Sequence, residues 1–173
     1  MKNKKLFIKA IAVILVIVGI ASYFIYHKLQ PQAKIHYHAG FAVFNNNQKI
    51  DFSNIKYMYE KPCTLNGKET ETDTNNQLEK AHLHDQVGDV VHIEQVGAIW
   101  KDLFTNIKYP LDYSKTQGYI NHIKVADYQN QPIHNNDVLV VFIGSNDIAK
   151  DLSQEPTVAY IEKMAKKSTA CSD

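Results

Sequence analysis

The chain has 173 residues, with 19 lysines, no arginine, 18 acidic residues and 45% hydrophobic content, enough for one globular domain and a short appendage. Lys2, Lys4, Lys5 and Lys9 precede residue 10 and every acidic residue follows residue 50, so the remainder carries 15 lysines against 18 acids. That balance argues against a nucleic-acid-binding domain, and the lack of arginine removes the planar fork favoured for phosphate and carboxylate recognition.

Residues 6–26, LFIKAIAVILVIVGIASYFIY, carry one charge, Lys9. At 1.5 Å per helical residue they would span about 31 Å, one bilayer crossing. The N-terminal lysines predict a cytoplasmic stub, residues 1–27 as stub and anchor, and residues 28–173 outside the cytoplasm. The other reading is a cleaved signal peptide. Its nearest small-x-small site, Gly19-Ile20-Ala21, lies inside the apolar run rather than after it, so a retained signal-anchor is the expectation. Tyr23 and Tyr26 suit an interfacial belt. Residues 28–34 read as a linker around Pro31, residues 35–152 as the domain, and 153–173 as a C-terminal helix and tail.

Cys63 and Cys171 both follow the apolar run. In an oxidising compartment a disulfide between them is the natural pairing; the competing reading makes Cys63 a soft metal ligand with Met58.

From Ile35 the chain alternates, with Ile35, Tyr37, Phe41 and Val43 on one face and His36, His38, Ala42 and Phe44 on the other, the period of a strand. Asn45-Asn46-Asn47 predicts a turn into a second strand, Lys49 to Phe52. Residues 60–80 are polar and aperiodic, an exposed loop. Val90 to Val96 reads as a strand, and Ile99, Leu103, Phe104 and Ile107 recur at helical spacing. Strands are expected at Gly118 to Val125 and at Val138 to Gly144, the second apolar enough for the sheet centre. Pro156 opens a terminal amphipathic helix bearing Val158, Ile161, Met164 and Ala165.

The fold expectation is therefore α+β: a single N-terminal transmembrane helix, a mixed sheet crossed by one helix, and a C-terminal amphipathic helix. Over residues 90–144, the helix IWKDLF, the strand opening GYIN and the turn NND before VLVVFIG resemble the β-grasp fold of ubiquitin-like sulfur carriers. Those carriers end in Gly-Gly, whereas this chain ends KKSTACSD, so the resemblance implies a fold and no carrier chemistry.

Eight histidines occur, at 27, 36, 38, 82, 84, 92, 122 and 134. Five fall in His36-Tyr-His38, His82-Leu-His84 and His92-Ile-Glu94. On a strand, residues i and i+2 share a face, so each His-x-His presents two imidazoles together. Asp85 is placed to accept the second ring N–H of a ligating His84. If the strands are neighbours, His36, His38, His82, His84 and His92 converge, with Asp85 and Glu94 beside them. Imidazole sets of this size suit Zn(II) or Cu(II), and spacing does not choose between them. His27, His122 and His134 read as solvent-exposed. With its N-terminal apolar segment, HYH, HLHD, HIE and closing FIG, the chain also resembles uncharacterised membrane-anchored microbial proteins with paired His-x-His motifs. That resemblance implies an anchored, histidine-rich outer domain and no catalytic residue.

Three functions compete. The first is a membrane-anchored Zn or Cu protein for capture or delivery. The second is a metalloenzyme in which the ion activates water and Glu94 or Asp85 is the base; no H-E-x-x-H or G-x-S-x-G motif accompanies it. The third is a metal-free interaction module for an envelope protein.

Overall fold

The computed structural model describes residues 15–20, 22, 23, 35–59 and 77–166. The chain divides into two compact units, Met1–Gln32 and Ala33–Asp173. In the first unit, residues 15–20 are helical. No helix among the described residues is long and apolar enough to cross a membrane, because a crossing needs about 20 consecutive apolar helical residues. This corrects the expected transmembrane anchor over residues 6–26 and the signal-anchor reading built on it. The N-terminal lysines, Tyr26, His27, the linker and residues 60–76 of the predicted loop lie outside the described residues. So do Cys63 and Cys171, and with them the expected disulfide.

The second unit is a mixed sheet with helices on both faces. Its strands are β1 (Tyr37–Asn45), β2 (Gln48–Lys49), β3 (Val90–Ile93), β4 (Thr116–Ile120), β5 (Ile123–Val125) and β6 (Val138–Ile143). The order is β2-β1-β6-β4-β5, with β3 also paired to β1. β1 and β6 run parallel in the register Phe41↔Leu139 to Asn45↔Ile143, while the β1–β2, β1–β3, β4–β5 and β4–β6 pairs are antiparallel. Asn46 and Asn47 take φ of 51° and 65°, the left-handed geometry a tight hairpin needs and asparagine tolerates.

Alternation along β1 and β6 feeds two cores. Phe41, Val43, Leu139 and Val141 pack against Trp100, Leu103 and Phe104 of α1 (Trp100–Asn106). Ala42, Phe44, Val140 and Phe142 face the other way, onto Ile161 and Met164 of α3 (Val158–Ala165) and the flanking Ile148 and Leu152 of α2 (Ile148–Leu152). Phe44 and Phe142 are register partners and stack at 5.8 Å. The expected β-grasp-like sheet crossed by one helix is thus corrected to a six-stranded sheet between helical layers. The second layer escaped notice because Ala42 and Phe44 share a face with the histidines, which made that face read as polar.

Two further corrections follow from local chemistry. The expected strand Gly118–Val125 is a hairpin, since Asn121 and His122 adopt φ of 50° and 66° and turn the chain between β4 and β5. The terminal helix stands as expected over Val158–Ala165, but a short helix that was not expected, Ile148–Leu152, precedes it, and each is opened by its own cap. Asp147 accepts from the Lys150 amide and Thr157 from the Tyr160 amide, satisfying amide donors with no partner inside the helix.

Candidate metal centre

Three neighbouring stretches carry the histidines, and each has the same alternation. Tyr37, Ala39, Ala81, Leu83, Val91 and Ile93 pack in or against the α1-side core. His38, His82 and His92 alternate with them and so project from the opposite face. His38 and His92 are register partners across β1 and β3, and His82 and His92 form an isolated antiparallel bridge on the far side of β3. His92 exchanges both backbone bonds with His82, at 2.9 and 3.0 Å. An antiparallel residue aims its N–H and C=O at one neighbour, so the His38–His92 pair is of the non-hydrogen-bonded kind, in which side chains stand closest.

The rings follow. Centroids lie 4.3 Å apart for His38–His92, 4.7 Å for His36–His38 and 5.8 Å for His36–His92. One ligand nitrogen from each of these three falls within 4.8 Å of the others, a group able to hold a metal ion. A tetrahedral ion with bonds of about 2.0–2.1 Å sets its nitrogens about 3.3–3.4 Å apart, so binding has to draw the three ligand atoms closer than their present 4.8 Å limit. His36 is exposed and has room to move, whereas His92 is 2% exposed and anchors the group. His84 lies 3.6 Å from His92 and 5.7 Å from His82, and His82 lies 5.9 Å from His92. All five histidines singled out by spacing therefore stand on one face.

The electrostatics favour neutral imidazoles. Burial, then the neighbouring His36 and His84, lower the His38 pKa from 6.5 to about 4, against a smaller opposing effect of Glu94. Burial and four surrounding histidines, His84 foremost, push His92 below the usual range. A neutral ring offers a lone pair, which is what an ion needs. The buried Nε2 of His38 has no hydrogen-bond partner, an arrangement that costs free energy unless something binds there.

The His82 and His84 imidazoles are oriented from behind. Nδ1 of His82 lies 3.0 Å from the Leu78 carbonyl, which can only accept, so Nδ1 carries the proton. Nδ1 of His84 meets the Asp85 carboxylate, the partner its sequence position suggested. Asp85 holds φ at 55° and Gln86 at 57°, turning the chain back towards β3. The Glu94 amide donates to the Glu79 carbonyl at 3.0 Å, and the Glu94 carboxylate acts on His38 through its charge.

Sequence reasoning missed the residues that hold the His82 segment in place. Asn106 on α1 donates from Nδ2 to the carbonyls of Gln77 and Ala81, at 2.8 and 2.7 Å. Asp102, one turn earlier, accepts from Gln77 Nε2 at 2.9 Å and from the Ile99 amide at 3.0 Å. The available signal was an Asp and an Asn four apart on the polar side of an amphipathic helix, too common a pattern to single out. Met58 packs against the core, and Cys63, its partner in the soft-ligand reading, lies outside the described residues. His122 and His134 are exposed, as expected, and each also faces a carboxylate, Glu155 at 2.7 Å and Asp137 at 3.1 Å.

No family model matches this chain, and neither does any curated protein or solved structure.

Proposed function

We propose that the domain binds a divalent transition-metal ion, Zn(II) or Cu(II), through His36, His38 and His92, and serves in capture or delivery of that ion. The observation that carries this reading is the group itself. Three imidazoles, two on the paired strands β1 and β3 and one immediately before β1, bring ligand nitrogens within 4.8 Å, and one of them, His38, has a buried nitrogen with no hydrogen-bond partner. Imidazole nitrogens suit either ion, and no thiolate belongs to the group.

The test is metal analysis of the full chain, stripped with a chelator and then titrated separately with Zn(II) and Cu(II). One equivalent should be retained through desalting, with affinity at least tenfold weaker in a folded His92→Ala variant and unchanged in His134→Ala. Absence of specific uptake, or equal weakening in both variants, would overturn the proposal.

A further inference from the structure

Resting on that reading, we infer that the array is two overlapping ligand sets, His36–His38–His92 and His82–His84–His92, which share His92 and hold a single ion in one position or the other. The second set is gathered at the level of its rings, although its ligand nitrogens are not drawn together as those of the first are. Its centroid separations are 3.6, 5.7 and 5.9 Å, against 4.3, 4.7 and 5.8 Å in the first. It also has what ligating histidines characteristically possess, an acceptor behind each ring that fixes the tautomer and the ring plane. For His82 that acceptor is the Leu78 carbonyl, and for His84 it is Asp85. With Nδ1 protonated in both, their lone pairs reside on Nε2.

The sharing sets the stoichiometry. A neutral imidazole has one lone pair, and using both nitrogens of His92 would require a bridging imidazolate that has lost its second ring proton; in its neutral form the ring offers one ion one bond. His92 therefore serves one ion at a time, and the two sets exclude each other.

The exposure of the rings gives the arrangement a direction. His36 is exposed and His38 and His84 partly so, whereas His82 and His92 are 3% and 2% exposed. An ion arriving from solvent meets His36 first. It then passes to His82 and His84 by exchange of two ligands while His92 stays bound, so that it is never released during the move. No proton or electron is consumed, since neutral donors replace neutral donors. Such a site suits transfer of an ion more than permanent structural retention.

The experiment is Zn(II) titration of the chelator-stripped full chain and of three variants, His36→Ala/His38→Ala, His84→Ala and His36→Ala/His38→Ala/His84→Ala, with far-ultraviolet circular dichroism to verify folding. Stoichiometry is read at saturating metal and binding rate by stopped flow with a chromogenic chelator. Wild type should take up one equivalent. The double variant and His84→Ala should each still take up one, the double variant at least tenfold more slowly because its solvent-facing ligands are gone. The triple variant should take up none. Two equivalents in wild type, or complete loss in the folded double variant, would overturn the shared-ligand inference while leaving the proposed metal function standing. No uptake by wild type would remove both.

Discussion

Replacing His38 by leucine should stabilise the metal-free protein while weakening metal binding. In the folded chain the buried His38 Nε2 has no partner, a defect worth about 1–3 kcal/mol. Leucine removes it at similar volume, but forfeits the ring contacts to His36 and His92 at 4.7 and 4.3 Å, about 0.5–1.5 kcal/mol. The balance at pH 7 is a gain of about 1 kcal/mol. Acid enlarges it. The folded-state pKa is about 4 against an ordinary 6.5, so between those values the unfolded chain binds more protons on this ring than the folded one. Wild-type stability therefore falls as pH drops through that window. At pH 5 the difference is about 2 kcal/mol, which solvent access to a half-buried ring reduces to about 1 kcal/mol. The leucine variant escapes this loss, so its advantage should double to about 2 kcal/mol at pH 5. Urea unfolding with chelator present, at pH 7 and pH 5, measures both values. A leucine variant less stable than wild type at pH 7, or an advantage that does not grow on acidification, would refute the reasoning.

Metal removal should act in the opposite sense. At a free ion concentration a hundredfold above Kd the folded state gains about 2.7 kcal/mol, so the Tm should rise on adding Zn(II) or Cu(II) and return on chelation; an unchanged Tm in the presence of saturating ion would contradict binding to the folded state. Asn106→Ala should cost about 2–3 kcal/mol, because Nδ2 donates to two carbonyls of the 77–81 segment that lose their donor together. Amide hydrogen exchange at His82 and His92 should accelerate in the same variant, and unchanged protection there would show that α1 does not position this segment. Gly118→Ala places a Cβ 2.2 Å from Cγ of Tyr128, a ring that is 1% exposed and tied by its hydroxyl to Thr116 at 2.7 Å. Overpacking of this kind costs about 3 kcal/mol, and a loss under about 1 kcal/mol in urea unfolding would mean that β4 and the ring can part freely.

Period-two alternation made Tyr37–Asn45 legible as a strand, an unbroken apolar run did the same for Val138–Ile143, and helical spacing located Trp100–Asn106 and Val158–Ala165, because each pattern is written in consecutive residues. Element ends were less legible. Residues 116–125 carry apolar positions across Asn121 and His122, so the alternation masked a turn that two positive φ angles create. The apolar run at residues 6–26 read as a bilayer crossing on composition and length, yet no described helix has the extent that a crossing demands.

The histidine spacing by itself determined which imidazoles lie on a common side of each strand, since the pleat sends i and i+2 the same way whatever the strand pairs with. Which strands are neighbours is a long-range property, and only the tertiary structure decided it. Residue 38 meets 92 through the β1–β3 register, and 82 meets 92 through a bridge held from α1 by Asn106. That convergence depends on the apolar partners of the same alternation, Ala39, Leu83, Val91 and Ile93, burying themselves in one core. Their burial fixes the register, and the register turns three separate sequence pairs into one array of five imidazoles.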